Sequence, residues 1–204
     1  MKDGFVSVGA LIPDVLLDVR YYSSFNFVGR RVDGYEQPVV LLTQEAAQAL
    51  LPVNAQAMAM GYRLRLLDGY RPQRAVNHFV RWAQDPTLTE TKAFFYPDVD
   101  KRDLFRLGYI AEKSGHSRGS TIDLTLMDMR TQENADMGGG FDFFGPRSHF
   151  DFEHLTPGQR ENRQLLQQLM VQNGFRPYSE EWWHFTLANE PYPDTYFDFP
   201  VKER

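Results

Sequence analysis

Apolar residues recur along this chain at two spacings, and the switches between them predict its elements. Tyr62-Arg63-Leu64-Arg65-Leu66 alternates at period two, the pattern of a half-buried strand. Leu67-Asp68-Gly69-Tyr70-Arg71-Pro72 then reads as a turn. From Gln73 to Ala83 the spacing changes, and Ala75, Val76, Phe79, Val80 and Ala83 make one helical stripe. Upstream, Thr43 stands as N-cap to the Ala-rich run Gln44 to Leu51. Pro52 is expected to break or kink that run before Val53 to Met60 continues it, and Gly61 offers a stop. Thr121 to Leu126 alternates again, with Ile122, Leu124 and Leu126 on one face and Thr121, Asp123 and Thr125 on the other. Met137 to Gly140 reads as a mobile, glycine-rich connection.

The clearest helix start is Thr156-Pro157-Gly158-Gln159, an N-cap, a proline at the first helical position and a capping-box glutamine. Leu165, Leu166, Leu169 and Met170 follow as its apolar face, and Gly174 as its terminator. After Pro177 the aromatic, β-prone segment Trp182 to Leu187 predicts a strand. No repeat or linker divides the chain. Helices mixed with short, mostly antiparallel strands predict an α+β fold, a single domain over 1–204 in which helices flank a small sheet.

A hydrophobic fraction of 42% and a charged fraction of 24% are those of a soluble globular protein. With 22 basic against 27 acidic residues, the net charge is -5, which argues against sequence-independent nucleic-acid binding. The chain has no cysteine, so a thiolate nucleophile, a thiolate metal site and a disulfide framework are excluded. The apolar stretch Val6 to Leu17 is interrupted by Pro13 and Asp14. It lacks the basic lead and small-residue cleavage pattern of a signal peptide. No run approaches the length of a membrane span. A cytoplasmic enzyme acting on a small molecule is the expectation, with no membrane or nucleic-acid partner and with homo-oligomerisation left open.

Candidate chemistry concentrates in two places. Asp123 lies inside a predicted strand, where aspartate is depleted and a buried carboxylate needs a partner. It closes the run Ser114-Gly115-His116-Ser117-Arg118-Gly119-Ser120-Thr121-Ile122-Asp123, whose loop signals let His116 turn back towards Asp123. By itself this spacing is more often a polar turn feeding an ordinary strand, and it is the second motif that reverses the reading. Near the far end, Glu181-Trp182-Trp183-His184 supplies a second histidine and a spare acid. Two histidines and an aspartate suit a catalytic zinc that keeps one position open for water. An extra carboxylate suits the base that such hydrolysis requires.

Residues three apart share a helix face but point oppositely on a regular strand. Glu181 is therefore expected in irregular backbone just before the strand. At least one of Trp182 and Trp183 is expected in the core. His78, on the polar side of its helix, and His149 and His154, in a loop rich in acids, read as solvated. Arg71, fixed between Tyr70 and Pro72, is placed to stabilise developing negative charge.

These motifs resemble the D-alanyl-D-alanine dipeptidases associated with vancomycin resistance, within the zinc D,D-peptidase superfamily. So do Asp68-Gly69-Tyr70-Arg71-Pro72, Val32-Asp33-Gly34-Tyr35-Glu36, Phe141-Asp142-Phe143 and the tail from Glu190 to Pro200. The resemblance implies one Zn2+ per chain on His116, Asp123 and His184, with Glu181 as catalytic base and Arg71 steadying the tetrahedral intermediate. It places Tyr21, Ser114 and Asp142 around the dipeptide. It implies hydrolysis of free D-Ala-D-Ala, in glycopeptide resistance or cell-wall dipeptide recycling. The chain departs from it at Gly115 and Thr121, where serine and alanine are expected. Gly115 is the departure expected to loosen the loop holding Ser114 and His116. Two alternatives stand beside it. One is a D,D-carboxypeptidase or endolysin acting on peptidoglycan peptides. The other is a zinc-dependent binding protein without catalysis, against which the retention of Glu181 and Arg71 weighs.

Overall fold

A computed structural model describes residues 2–203. Strand β1 (Phe5–Ser7), the one-turn helix α1 (Val8–Leu11) and strand β2 (Leu16–Leu17) precede β3 (Leu41–Thr43), which pairs antiparallel with β1. Helix α2 (Gln44–Ala59) then leads into β4 (Tyr62–Asp68), followed by α3 (Gln73–Gln84) and the short α4 (Lys92–Phe95). Strand β5 (Thr121–Asp128), helix α5 (Pro157–Gln172) and the hairpin of β6 (Phe175–Tyr178) and β7 (Glu181–Leu187) complete the chain. The main sheet has the order β2-β4-β5-β7-β6, antiparallel except for the β2–β4 edge. Helix α2 packs on β4, α5 packs on β6 and β7, and the two helices touch, so both cover one face of the sheet. The fold is α+β, as its hydrophobic spacing predicts. Among the described residues no helix is long and apolar enough to cross a membrane.

Local signals explain most element ends. The Thr43 side chain accepts from the Ala46 amide at the start of α2, and Thr156 and Gln159 close a reciprocal capping box on α5. Pro52, however, does not break α2, which runs unbroken through it. A proline deprives the carbonyl four residues earlier of its partner. Here that carbonyl belongs to Gln48, and both Gln48 and Pro52 are exposed, so water can take the lost bond. The buried stripe Ala46, Ala47, Leu50, Val53 and Ala57 continues undisturbed on the other side. In α3, Trp82 rather than Val80 completes the buried face. In α5 the apolar face includes Arg163, 1% exposed, whose guanidinium donates to the carbonyls of Met137, Arg147 and His149. The glycine-rich connection is thereby fastened at Met137.

Two irregularities in the sheet matter most for function. Register slips by one residue between Leu66 and Asp68 on β4, so the strand continues into the predicted turn with a bulge. A one-residue slip exchanges the two faces of a strand. Asp68, which would otherwise follow Leu64 and Leu66 to their face, is instead paired with Asp123. Asp123 in turn lies opposite His184 on β7. Asp68, Asp123 and His184 therefore form a row across three adjacent strands. The second slip falls between Pro177 and Tyr178 on β6, where Tyr178 pairs with Glu181. Glu181 is the first residue of β7 rather than part of the preceding loop, but its surroundings are irregular, as the Glu181–His184 spacing requires.

Candidate active site

His116 sits in a single 3-10 turn, Gly115–Arg118. The Ser114 hydroxyl opens the turn by accepting from the His116 amide at 3.3 Å. Gly119 closes it at φ 86°, and a Cβ there would come within 2.3 Å of the Phe5 ring. Only glycine meets both conditions. The Gly119 carbonyl accepts from the Thr43 amide at 2.8 Å, which docks the turn on β3. The His116 Nδ1 lies 2.8 Å from the Gly69 carbonyl oxygen. A carbonyl can only accept, so Nδ1 carries the proton and Nε2 presents a lone pair.

That lone pair faces two other ligand atoms. His116 Nε2 is 3.2 Å from Asp123 Oδ2 and 3.3 Å from His184 Nδ1, and His184 Nδ1 is 3.2 Å from Asp123 Oδ1. A tetrahedral metal ion with ligands at about 2.0–2.1 Å spaces them ~3.3 Å apart. The three side chains fit such an ion, and they are the group among the described residues that could hold one. Asp123 Oδ1 is also buried without a hydrogen-bond partner, as an atom reserved for a metal would be. The electrostatics agree. Burial works against a charged His184 ring, but Asp123 and Glu181 outweigh it and push its pKa up to about 9. Burial would likewise raise the Asp123 carboxyl, yet the rings of His116 and His184 hold it below the usual carboxylate range. This pocket favours a cation beside its carboxylates.

Glu181 stands at the rim, a third exposed, with Oε2 3.3 Å from His184 Nδ1. Arg71 comes from just beyond β4. Its Nε and one terminal nitrogen each lie 2.9 Å from Asp68 Oδ2, and that terminal nitrogen is 3.6 Å from Asp123. The guanidinium carbon lies 4.9 Å and 5.1 Å from the ring centroids of Tyr21 and Phe79. Asp68 Oδ1 accepts from the Tyr35 hydroxyl at 2.7 Å. The pose of Arg71 is thus set by a buried carboxylate that is itself held. The sequence reading missed Asp68 and Tyr35 as parts of this site. Both lie within quoted motifs, but nothing in their spacing reveals the bulge that aims Asp68.

All eight residues singled out for the site line one cavity of about 290 Å³. Tyr21 donates to Asp142 Oδ2 at 2.7 Å. Asp142 is buried, takes the left-handed backbone conformation with φ 60°, and is pushed well above the ordinary carboxyl pKa by burial despite its hydrogen bond from Tyr21. Lys113 and Tyr109 also line the cavity, and Tyr178 packs edge-on to His184 at 5.6 Å; sequence reasoning named none of them. Both Trp182 and Trp183 are buried.

The two departures from the resemblance meet in space. A Cβ at Gly115 would stand 3.1 Å from Thr121 Oγ1, which itself bonds to the Thr186 hydroxyl at 2.9 Å. The larger residue at one position occupies the room left by the smaller at the other. His78 is not solvated as expected: it is half-buried, with Nδ1 accepting from the Asp33 amide at 3.1 Å, and burial lowers its pKa. His154 is exposed, against the edge of Phe152.

Comparison with known proteins bears on this geometry. Residues 1–202 match a family described as D-ala-D-ala dipeptidase. The chain is 45% identical over 202 residues to the D-alanyl-D-alanine dipeptidase of Enterococcus faecium, a match that covers 99% of this chain and 100% of that one. It is 44% identical over 201 residues to the protein of the same name from Streptomyces coelicolor, covering 98% and 100%. The Escherichia coli counterpart is 34% identical over 182 residues, covering 89% and 83%.

Proposed function

The chain belongs to the D-Ala-D-Ala dipeptidase family and is a hydrolytic enzyme, and we propose that it cleaves free D-Ala-D-Ala into two D-alanines with one zinc ion per chain. The observation that carries this reading is the tetrahedral spacing of His116, Asp123 and His184, with the Glu181 carboxylate 3.3 Å from His184. These three side chains would hold the zinc, and when bound it supplies a Lewis acid for the scissile carbonyl and lowers the pKa of water. Glu181 takes the proton from the attacking water and returns it to the leaving amine. Arg71, steadied by Asp68, turns its guanidinium to the oxygen on which negative charge develops.

The dipeptide's two charged ends fix its placement. Asp142, held by Tyr21, receives the ammonium, which supplies the counter-charge that burial denies this carboxyl. Ser114 lies where the carboxylate ends. Extending either end leaves buried groups unpaired, so the site selects free dipeptides. We place the reaction in the cytoplasm, on a soluble small-molecule pool, with no nucleic-acid or membrane partner. Its role is glycopeptide resistance or cell-wall dipeptide recycling.

The test compares three substrates on the purified, zinc-loaded protein. Free D-Ala-D-Ala is turned over, L-Ala-L-Ala is not, and N-acetyl-D-Ala-D-Ala falls in kcat/KM by roughly 10²-fold or more. Comparable efficiency on the acetylated peptide would overturn the dipeptidase reading in favour of a D,D-carboxypeptidase.

A further inference from the structure

The three candidate ligands are held in different ways. Asp123 and His184 lie opposite each other on the paired strands β5 and β7, so the sheet register sets their separation. His116 has no such support, because it belongs to the four-residue turn Gly115–Arg118. A single 3-10 turn has little stability of its own. Contacts with other parts of the chain must therefore fix where His116 stands relative to its two partners.

Arg118, the last residue of the turn, makes the strongest side-chain contact of this kind. Its Nε donates to Glu190 Oε2 and a terminal nitrogen donates to Glu190 Oε1, each at 2.8 Å. This is a two-pronged ion pair, which fixes orientation as well as distance. The Glu190 side chain is 7% exposed and that of Arg118 20%, so water screens the pair less than it would a surface pair. Glu190 opens the segment 190–200, which forms neither helix nor strand. The same segment returns to the turn at Phe197, whose amide donates to the Ser117 carbonyl at 2.9 Å. The Phe197 carbonyl then accepts from the Gln73 amide at the start of α3, also at 2.9 Å. The tail thus grips the turn at the two residues that follow His116.

We propose that the Arg118–Glu190 pair positions His116 and thereby sets the affinity of the site for its metal. The inference rests on the zinc reading of His116, Asp123 and His184. Neither Arg118 nor Glu190 lines the catalytic cavity, so the pair acts through the turn and touches neither metal nor substrate. Arg118 and Glu190 are positioning residues.

Zinc affinity of the full-length protein, read by competition with a chromophoric chelator, provides the test. Arg118→Lys keeps the charge but loses the fork, and Glu190→Gln keeps the shape but loses the charge. Each should weaken zinc binding by roughly tenfold or more. The double variant should be no weaker than the worse single one, because either change alone breaks the pair. Affinities are measured below the melting temperature of each metal-free variant, so a loss of fold is not read as a loss of zinc. Arg74→Gln is the control. Arg74 holds the same tail at Asp198, with Nε 2.9 Å from Oδ1 and a terminal nitrogen 2.8 Å from the carbonyl oxygen. It should keep the wild-type zinc affinity whatever it does to the melting temperature. Unchanged affinity in Arg118→Lys and Glu190→Gln, additive losses in the double variant, or an equal loss in Arg74→Gln would each overturn this proposal alone. A wild-type protein that takes up no stoichiometric zinc would overturn the zinc reading itself, and the positioning role with it.

Discussion

His116 can serve as a ligand because its other nitrogen is occupied: the Gly69 carbonyl holds the proton on Nδ1 and leaves Nε2 free. His116→Ala and His184→Ala should therefore lose the bound metal. Glu181→Ala should retain it and lose about 10²–10⁴ in turnover, as shown by metal analysis beside steady-state rates. Substantial activity in Glu181→Ala would remove Glu181 from the role of base. The role proposed for Arg71 lies at a different point. Its contacts with Asp68, Tyr21 and Phe79 keep it fixed in the wall of the cavity, so no reorganisation is needed when charge develops. Arg71→Ala should lower kcat by about 10²–10³ with a much smaller change in KM. A raised KM at normal kcat would make Arg71 a substrate anchor only. These residues were legible in the sequence because few side-chain types can ligate a metal or move a proton. Asp68 was not, because its use depends on which face of β4 it occupies.

Elements show where local rules hold and where they yield. Capping residues mark the starts of α2 and α5, since a cap is a contact between near neighbours. Pro52 looked like a breaker on the same local grounds, yet α2 continues through it because packing of Ala46, Leu50, Val53 and Ala57 outweighs one lost solvent-side bond. If that account is right, Pro52→Ala should stabilise the protein by about 1–2 kcal/mol. The helix-interior penalty of proline exceeds the unfolded-state entropy that proline removes. Urea unfolding should show a higher midpoint at an unchanged slope. A lower midpoint would mean that the proline ring contributes packing that its exposure does not suggest. The bulge in β4 and the slip between β6 and β7 belong to this scale too. Each is a property of two strands in register, and neither strand's own alternation announces it.

Across the whole molecule, the candidate metal group draws on segments that are far apart in sequence: the turn at His116, β5 at Asp123 and β7 at His184. An ion bound there favours the folded state, because the unfolded chain offers no such site. Chelation should therefore lower the melting temperature, and the pH dependence has a definite sign. In the metal-free chain the His184 proton is held up to about pH 9 and must leave before the ring can bind a metal. Metal affinity should rise with pH up to that point, so the loss of melting temperature on chelation should be larger at pH 8 than at pH 6. An equal loss at both would mean that no proton is displaced from His184.

Sequence by itself determined the elements with clear periodicity, the α+β class, the candidate ligands and the acid beside them. All of these follow from residue type and short-range spacing. Only the tertiary structure decided that Asp68 shares a face with Asp123, that Gly115 and Thr121 fit each other, and that α2 survives Pro52. Those outcomes depend on strand register and on packing between distant segments, and the energies that set them are absent from any local window of the chain.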